Sequence, residues 1–236
     1  MRRIPKTISI IVPTYNEAAT LPAILSMVKH ANTMRLRKQI IVVDDASSDT
    51  TRRILKKIKG ITVVSHRKNR GKGAALRSGF ARAKGDIILI QDADTEYSPK
   101  DYPKLLEPFF ESRADVVYGS RFRGSEPRRV IYFSHHVANQ ALTFYSNLLT
   151  NINISDMECG YKVFHKNVLE SILPSLVSNR FGIEPELTAK VAKLKHVRFF
   201  EVGITYQGRT YAEGKKIGFL DGLRAVLEIT YFNLFT

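Results

Sequence analysis

The chain has 236 residues, 44% of them hydrophobic and 25% charged, which gives enough apolar material for one large buried core and too little length for two ordinary domains. Its single cysteine, Cys159, excludes an internal disulfide framework and suits a reducing compartment. A net charge of +15 asks for an anionic partner, whether nucleic acid, a phosphorylated small molecule or the negative face of a membrane.

Residues 1–6 are basic, but the apolar run at 8–12 is too short for a signal sequence and reads as a strand. No run of about 18 uncharged apolar residues occurs, so the chain is expected to be cytoplasmic, or peripheral on the cytoplasmic face of a membrane. Strands are predicted at 8–13, 39–44, 61–65, 86–91 and 115–119, where short β-rich runs recur. Helix-period segments separate them. Thr20 is placed to cap a helix carrying Leu21, Ile24, Leu25 and Val28. Ser48 or Asp49 is placed to cap a helix over 50–59 closed by Gly60, and 73–84 reads as a helix ended by Gly85. Such alternation predicts a single α/β domain with a mostly parallel sheet and helices on both faces.

In such sheets ligands bind at the carboxyl ends of the strands, and the unusual polar residues fall there. The first strand ends in Pro13-Thr14-Tyr15-Asn16-Glu17, the second in Asp44-Asp45, the fourth in Gln91-Asp92-Ala93-Asp94. Each alone reads equally well as a capped turn. Three acidic strand ends on one edge repel one another unless they meet a cation or sugar hydroxyls. Alternate residues of an extended segment share a side, so Asp92 and Asp94 can approach one ion. Carboxylates suit Mg2+ or Mn2+, which take one or two of them together with substrate phosphates, and a nucleotide donor is implied.

In this order, Pro13 to Glu17, Asp44-Asp45, Asn69-Arg70-Gly71-Lys72-Gly73, Asp92-Ala93-Asp94 and Gly119-Ser120-Arg121 resemble the family 2 glycosyltransferases of GT-A fold. More narrowly they resemble the catalytic domains of dolichyl-phosphate mannosyltransferases and polyprenyl-phosphate glucosyltransferases. The resemblance implies a nucleotide-sugar-binding half at 1–122 and an acceptor-binding half at 123–236 that ends in an amphipathic helix. It puts Pro13, Tyr15 and Glu17 against the nucleotide, with Asp44 and Asp45 at base or ribose. Asp92 and Asp94 hold the metal on the donor diphosphate, and Glu96 stands where relatives often carry Gln. Arg121 meets the acceptor phosphate. Asp156, in Asp156-Met157-Glu158-Cys159-Gly160-Tyr161-Lys162, lies near the donor sugar or serves as a turn. Arg209 and Lys215-Lys216 belong to a basic segment that closes over the diphosphate.

Other features leave alternatives open. Lys72 follows a glycine turn without the full P-loop pattern; it reads as a phosphate contact at a helix start or as a solvated side chain. Arg128 and Arg129 read as solvated charge or as head-group contacts. Glu184 and Glu186 open a helix, where their charge also suits the helix dipole. The apolar segments 137–149 and 219–235 read as core stripes or as helices lying in a bilayer interface. Among partners, nucleic acid is excluded by dispersed basic residues and the lack of zinc-finger or RNP1 patterns. A membrane surface, with or without a membrane-protein partner, is expected.

The resulting expectation is inverting transfer of a hexose from GDP-mannose first, UDP-glucose second, to a polyprenyl or dolichyl phosphate. The rivals are transfer to a glycan hydroxyl and a non-catalytic nucleotide-sugar-binding module.

Overall fold

All five expected strands form, as β1 (Thr7–Thr14), β2 (Arg37–Asp44), β3 (Thr62–Ser65), β4 (Ile87–Ile90) and β5 (Val116–Ser120), in a computed structural model that describes residues 4–124, 129–130, 132–209 and 219–236. Two more, β6 (Lys162–His165) and β7 (Phe199–Gly203), complete a seven-stranded sheet of order β3-β2-β1-β4-β6-β5-β7. Only β6 runs against the rest: it pairs antiparallel with β4 and β5, while the other neighbours are parallel. Because β6 is reversed, its first residue, Lys162, lies at the edge where β4 and β5 end. Register brings Thr14 beside Asp44 and Ile11 beside Ile90, so the acidic strand ends share that edge.

The two-residue period divides each central strand between two cores. Ile8, Ile10 and Val12 of β1 join Ile40 and Val42 of β2 under α1 (Leu21–His30), α2 (Thr51–Leu55) and α4 (Tyr102–Glu111). Ile11, Ile41 and Val43 face α3 (Lys72–Phe80), α6 (Lys166–Ile172) and α7 (Ile183–Ala192), joined by Ile229 of α8 (Phe219–Leu234). Helices on both faces explain the unbroken apolar runs of β1, β2 and β4. The long α5 (Phe133–Thr150) packs beside α8, with the Tyr145 hydroxyl 2.8 Å from Thr230 Oγ1.

Two helices are shorter than expected. The predicted 50–59 helix stops at Leu55, followed by i to i−3 bonds from Lys57 and Ile58. Arg52, Arg53, Lys56 and Lys57 form like-charge i,i+4 pairs that oppose a longer helix. The predicted 73–84 helix spans Lys72–Phe80 and tightens through Arg82 and Ala83. Thr20 makes no capping bond; its hydroxyl lies 3.0 Å from both Ala93 O and Glu17 Oε2, tying the first acidic loop to the third. Asp49 Oδ1 accepts from Thr51 N at 2.9 Å, a local turn bond at the start of α2.

Gly85 acts through close approach, since a Cβ there would lie 2.4 Å from Ser9 N and 2.8 Å from Ile8 C. Backbone atoms in the central strand have no room to give. Gly85→Ala is expected to cost about 1–3 kcal/mol, read as a lowered urea midpoint with unchanged m-value; an unchanged midpoint would contradict this packing.

Candidate active site

The loop after β1 turns at Asn16, whose φ of 54° is tolerated by an asparagine. Its Oδ1 accepts from Ser48 N at 2.8 Å, and Ser47 Oγ accepts from its N–H at 3.0 Å, so the first two acidic strand ends are locked together. Ala46 at φ 61° has no such excuse, and backbone strain of this kind collects at functional sites. Pro13 is buried, whereas Tyr15 is exposed and Glu17 partly so.

The adjacent aspartates have separate tasks. Asp44, fully buried, accepts from Ser47 N at 3.0 Å and from Arg52 Nε at 2.7 Å. Asp45 turns to the other side: its oxygens accept from Arg70 N at 3.0 Å and Gly71 N at 2.6 Å, and His66 Nδ1 lies 2.6 Å away. The Asp45 carboxylate thereby holds the 69–71 turn that delivers Lys72. The turn is backed by 178–180, because a Cβ on Gly71 would meet Asn179 O at 2.4 Å and one on Gly73 would meet Ser178 O at 2.5 Å. Glu186 holds that backing segment through Val177 N and Ser178 N, both at 2.8 Å.

Lys72 is not solvated. Its ammonium lies 2.8 Å from Asp92 Oδ1 and 3.0 Å from Glu184 Oε1. Burial works against its charge, but Asp92 and Glu184 outweigh burial and raise its pKa. Glu184 Oε2 is 2.5 Å from the ammonium of Lys162, a fully buried cation that also donates to Met157 O and Cys159 O and sits 4.6 Å from the Tyr118 ring centroid. Although burial disfavours a charged Glu184, Lys162 and then Lys72 hold its pKa below the usual carboxylate value. Cys159 is buried, and burial pushes its thiol up to about 12, which removes it as a nucleophile.

Asp94 pairs with Arg209, Nη2 to Oδ2 at 2.6 Å. Burial, then the charges of Asp92 and Glu96, push the Asp94 carboxyl up to about 7, with Arg209 opposing. Glu96 uses both oxygens within the protein: Oε1 accepts from Arg209 N at 3.0 Å and Nε at 3.1 Å, and Oε2 accepts from the Tyr206 hydroxyl at 3.2 Å. These bonds anchor the 206–209 segment beside Asp94. Among the described residues no group of three His, Cys, Asp or Glu side chains forms a metal cage. Two crowded carboxylates, one keeping its proton to about 7, do fit a hard divalent cation that brings a diphosphate with it. Lys215, Lys216 and Arg128 lie outside the described residues.

Arg121 leaves the end of β5 and grips Asp156. Its N–H and Nε lie 2.9 and 2.7 Å from Oδ2, and Nη2 lies 2.7 Å from Oδ1. The guanidinium sits 5.4 Å from the Tyr206 ring centroid and 5.6 Å from that of Phe122. Asn139 Nδ2 adds a bond to Asp156 at 3.1 Å. Burial opposes ionisation of Asp156, yet Arg121 prevails and lowers its pKa. Fully buried and bonded to these donors, Asp156 holds the Arg121 guanidinium in place. Glu201 of β7 in turn accepts from Ser155 N at 2.8 Å, Asp156 N at 3.2 Å and Arg123 Nε at 3.1 Å. Arg129 donates to Gly208 O at 3.2 Å, joining the loop after β5 to the Arg209 segment.

The family model described as Glycosyl transferase family 2 matches residues 9–173. The chain belongs to glycosyl transferase family 2. It is 30% identical over 233 residues to an undecaprenyl-phosphate mannosyltransferase of Micrococcus luteus, covering 95% of this chain and 93% of that protein. It is 28% identical over 215 residues to a dolichol-phosphate mannosyltransferase of Pyrococcus furiosus, covering 89% of this chain and 60% of that protein. Among solved structures, glucosyl-3-phosphoglycerate synthase from Mycobacterium tuberculosis, in complex with Mn2+, UDP and phosphoglyceric acid, superposes with a TM-score of 0.74 at 20% identity, over 98% of this chain and 80% of that one. The GT-A glycosyltransferase fold is thus present, and the chain is a glycosyltransferase. Within this family 2 chain, Asp92, Asp94, Arg121 and Asp156 fall inside the matched region, whereas Glu184, Glu201 and Arg209 lie beyond it. Sequence reasoning gave no task to Lys162, Glu201 or Tyr206, and weighed Glu184 only as a helix-start residue.

A pH dependence follows. If Asp94 holds a divalent cation, a proton on its carboxyl competes for the same oxygens, and burial with Asp92 and Glu96 pushes that carboxyl up to about 7. Mn2+-dependent binding of nucleoside diphosphate is expected to weaken as pH falls below about 7 and to level off above it. Equal affinity at pH 5.5 and 8, measured by calorimetry, would contradict this.

Proposed function

We propose that this glycosyltransferase moves a hexose from a nucleotide-sugar to a polyprenyl or dolichyl phosphate, inverting the anomeric centre. The observation that carries the reading is one sheet edge bearing two poles: the Asp92/Asp94 pair with Lys72 and Arg209, and an Arg121 cation locked by Asp156. Tyr206 touches both, through Glu96 on one side and Arg121 on the other. The relatives named for lipid phosphates support the acceptor class.

On this reading Asp92 and Asp94 hold Mg2+ or Mn2+, and when bound the cation neutralises the diphosphate as it leaves. Pro13, Tyr15, Glu17 and Asp44 line the nucleotide side, while Lys72 and Arg209 face the phosphates. Arg121 orients the acceptor. An alkyl phosphate, with a second pKa of about 6, is already mostly dianionic at neutral pH, so attack on the anomeric carbon needs alignment and charge neutralisation more than proton removal. GDP-mannose is the first donor to try and UDP-glucose the second.

A glycan hydroxyl acceptor would need a base, and one observation favours that second reading. Burial, then Glu184, pushes the Glu158 carboxyl up to about 7, with Lys162 and Arg121 opposing. The test is transfer of radiolabelled sugar from a panel of GDP- and UDP-sugars to polyprenyl phosphate, with Mg2+ or Mn2+ or with EDTA. Metal-dependent lipid-linked product from one donor supports the proposal and names the sugar. No product from any donor, with nucleotide binding intact, refutes it.

The membrane side of the proposal rests on α5 and α8. Phe133, Val137, Phe144 and Leu148 on one and Leu223, Leu227 and Leu234 on the other are exposed, Phe144 at 71% and Leu227 at 68%. Their spacing puts each set on one helix face. Among the described residues no helix is long and apolar enough to cross a membrane, so a peripheral seat on the cytoplasmic face is proposed. Burying a Phe or Leu side chain contributes roughly 1.5–3 kcal/mol. The double variant Phe144→Glu/Leu227→Glu is expected to lower sedimentation with anionic vesicles at least tenfold while leaving nucleotide binding unchanged; undiminished sedimentation would remove these helices from the account.

A further inference from the structure

Lys72, Lys162, Glu184, Arg121 and Asp156 each have a named ionic partner in the site. Glu158 does not. Its Oε1 is buried and accepts no hydrogen bond, and a buried polar atom without a partner costs on the order of 1–3 kcal/mol. Such an orphan at a functional edge asks for an explanation in what binds there.

Its surroundings narrow the answer. Glu158 belongs to the loop that runs from Asp156 into β6, along the edge where β4 ends. Two residues on, Gly160 presses against Asp92 so closely that a Cβ would meet Asp92 Oδ2 at 2.3 Å. The charged groups that act on Glu158 are Glu184, Lys162, Arg121 and Asp156. It is thus within electrostatic reach of both the Lys162–Glu184 pair and the Arg121–Asp156 pair, two residues before the glycine that abuts Asp92. Three carboxylates there, Glu158, Glu184 and Asp156, meet the two cations Arg121 and Lys162. A further phosphate is disfavoured at that spot, and both buried cations nearest Glu158 already have carboxylate partners. What remains for a carboxyl oxygen is a neutral donor, and a sugar hydroxyl is one.

We propose that Glu158 is the residue that binds a hydroxyl of the transferred sugar and so sets which hexose is accepted. This rests on the nucleotide-sugar reading above and deepens it. Between the diphosphate end at Asp92 and the acceptor pole at Arg121, the sugar is the part of the donor that reaches Glu158. A hydroxyl donating to this partly buried carboxylate makes a charge-assisted bond, and a site built for that bond rejects a sugar lacking the hydroxyl, because the carboxyl is again left unpaired.

The experiment is calorimetry with Mn2+ and four probes, UDP, UDP-glucose, GDP and GDP-mannose, on wild type, Glu158→Gln and Glu158→Ala, with initial rates for the preferred donor and its singly deoxygenated analogues. Expected are nucleoside diphosphate affinities within about twofold of wild type, and a loss of about tenfold or more in affinity for the nucleotide-sugar in the alanine variant. One deoxy analogue should be discriminated by wild type and not by the variant; the glutamine variant, still an acceptor, should fall between. Undiminished sugar affinity with undiminished discrimination overturns the proposal. So does loss of turnover in Glu158→Gln with sugar binding intact, which would make Glu158 a base and favour the hydroxyl acceptor. Should wild type bind no nucleotide-sugar better than its nucleoside diphosphate, the donor reading itself fails.

Discussion

Asp94→Asn is expected to lower transfer by about a thousandfold or more while leaving the fold intact. On the proposed reading Asp92 and Asp94 hold the metal, and a hard cation that keeps few protein ligands loses much of its hold when one becomes an amide. Loss of several kcal/mol of charge neutralisation at the leaving diphosphate translates at about 1.4 kcal/mol per tenfold in rate. Stability should barely move, because Arg209 keeps both of its bonds to Glu96. Steady-state kinetics with a thermal melt checks both halves. A variant that retains more than a tenth of wild-type kcat/KM would remove Asp94 from the metal site.

Arg121→Lys is expected to be nearly as damaging as Arg121→Ala, at about 100-fold or more in kcat/KM. An ammonium cannot reproduce the two-pronged grip on Asp156, nor lie flat between Tyr206 and Phe122. Arg121→Ala also leaves a fully buried carboxylate without its cation, a loss of about 3–5 kcal/mol in stability, whereas Arg121→Lys keeps the charge and loses only the geometry. Removing both charges separates the two effects. Arg121→Met with Asp156→Asn should recover most of the stability and none of the activity, since a matched neutral pair replaces the ion pair while the acceptor loses its cation. Recovery of activity in the double variant would show that Arg121 serves only the fold.

These residues differ in how far sequence could reach them. That Asp92, Asp94 and Asp44 lie at strand ends on one edge was legible because the apolar runs locate those ends. Asp44 and Asp45 are chemically identical neighbours that face opposite ways on an extended segment, and only the fold shows that Asp45 meets the N–H groups of Arg70 and Gly71. The Arg121–Asp156 pair spans 35 residues, and no local period links them. β6 escaped notice because it is four residues long, antiparallel and opens on a lysine, a residue seldom buried unless paired. Its partner Glu184 looked like an ordinary first-turn acid. β7 is partly exposed along its length and lacks an apolar run, so Glu201, which steadies the Asp156 loop, had no signal at all.

The central claim is that a lipid phosphate, and not a hydroxyl, receives the sugar. The most direct test supplies the donor chosen by the panel to vesicles carrying polyprenyl phosphate, polyprenol or a short oligosaccharide, and reads product by solvent partition and by NMR of the anomeric centre. Label that enters the lipid phase only with polyprenyl phosphate, as a phosphodiester of inverted configuration, is the predicted result. Label that enters polyprenol or the oligosaccharide at a comparable rate would contradict it.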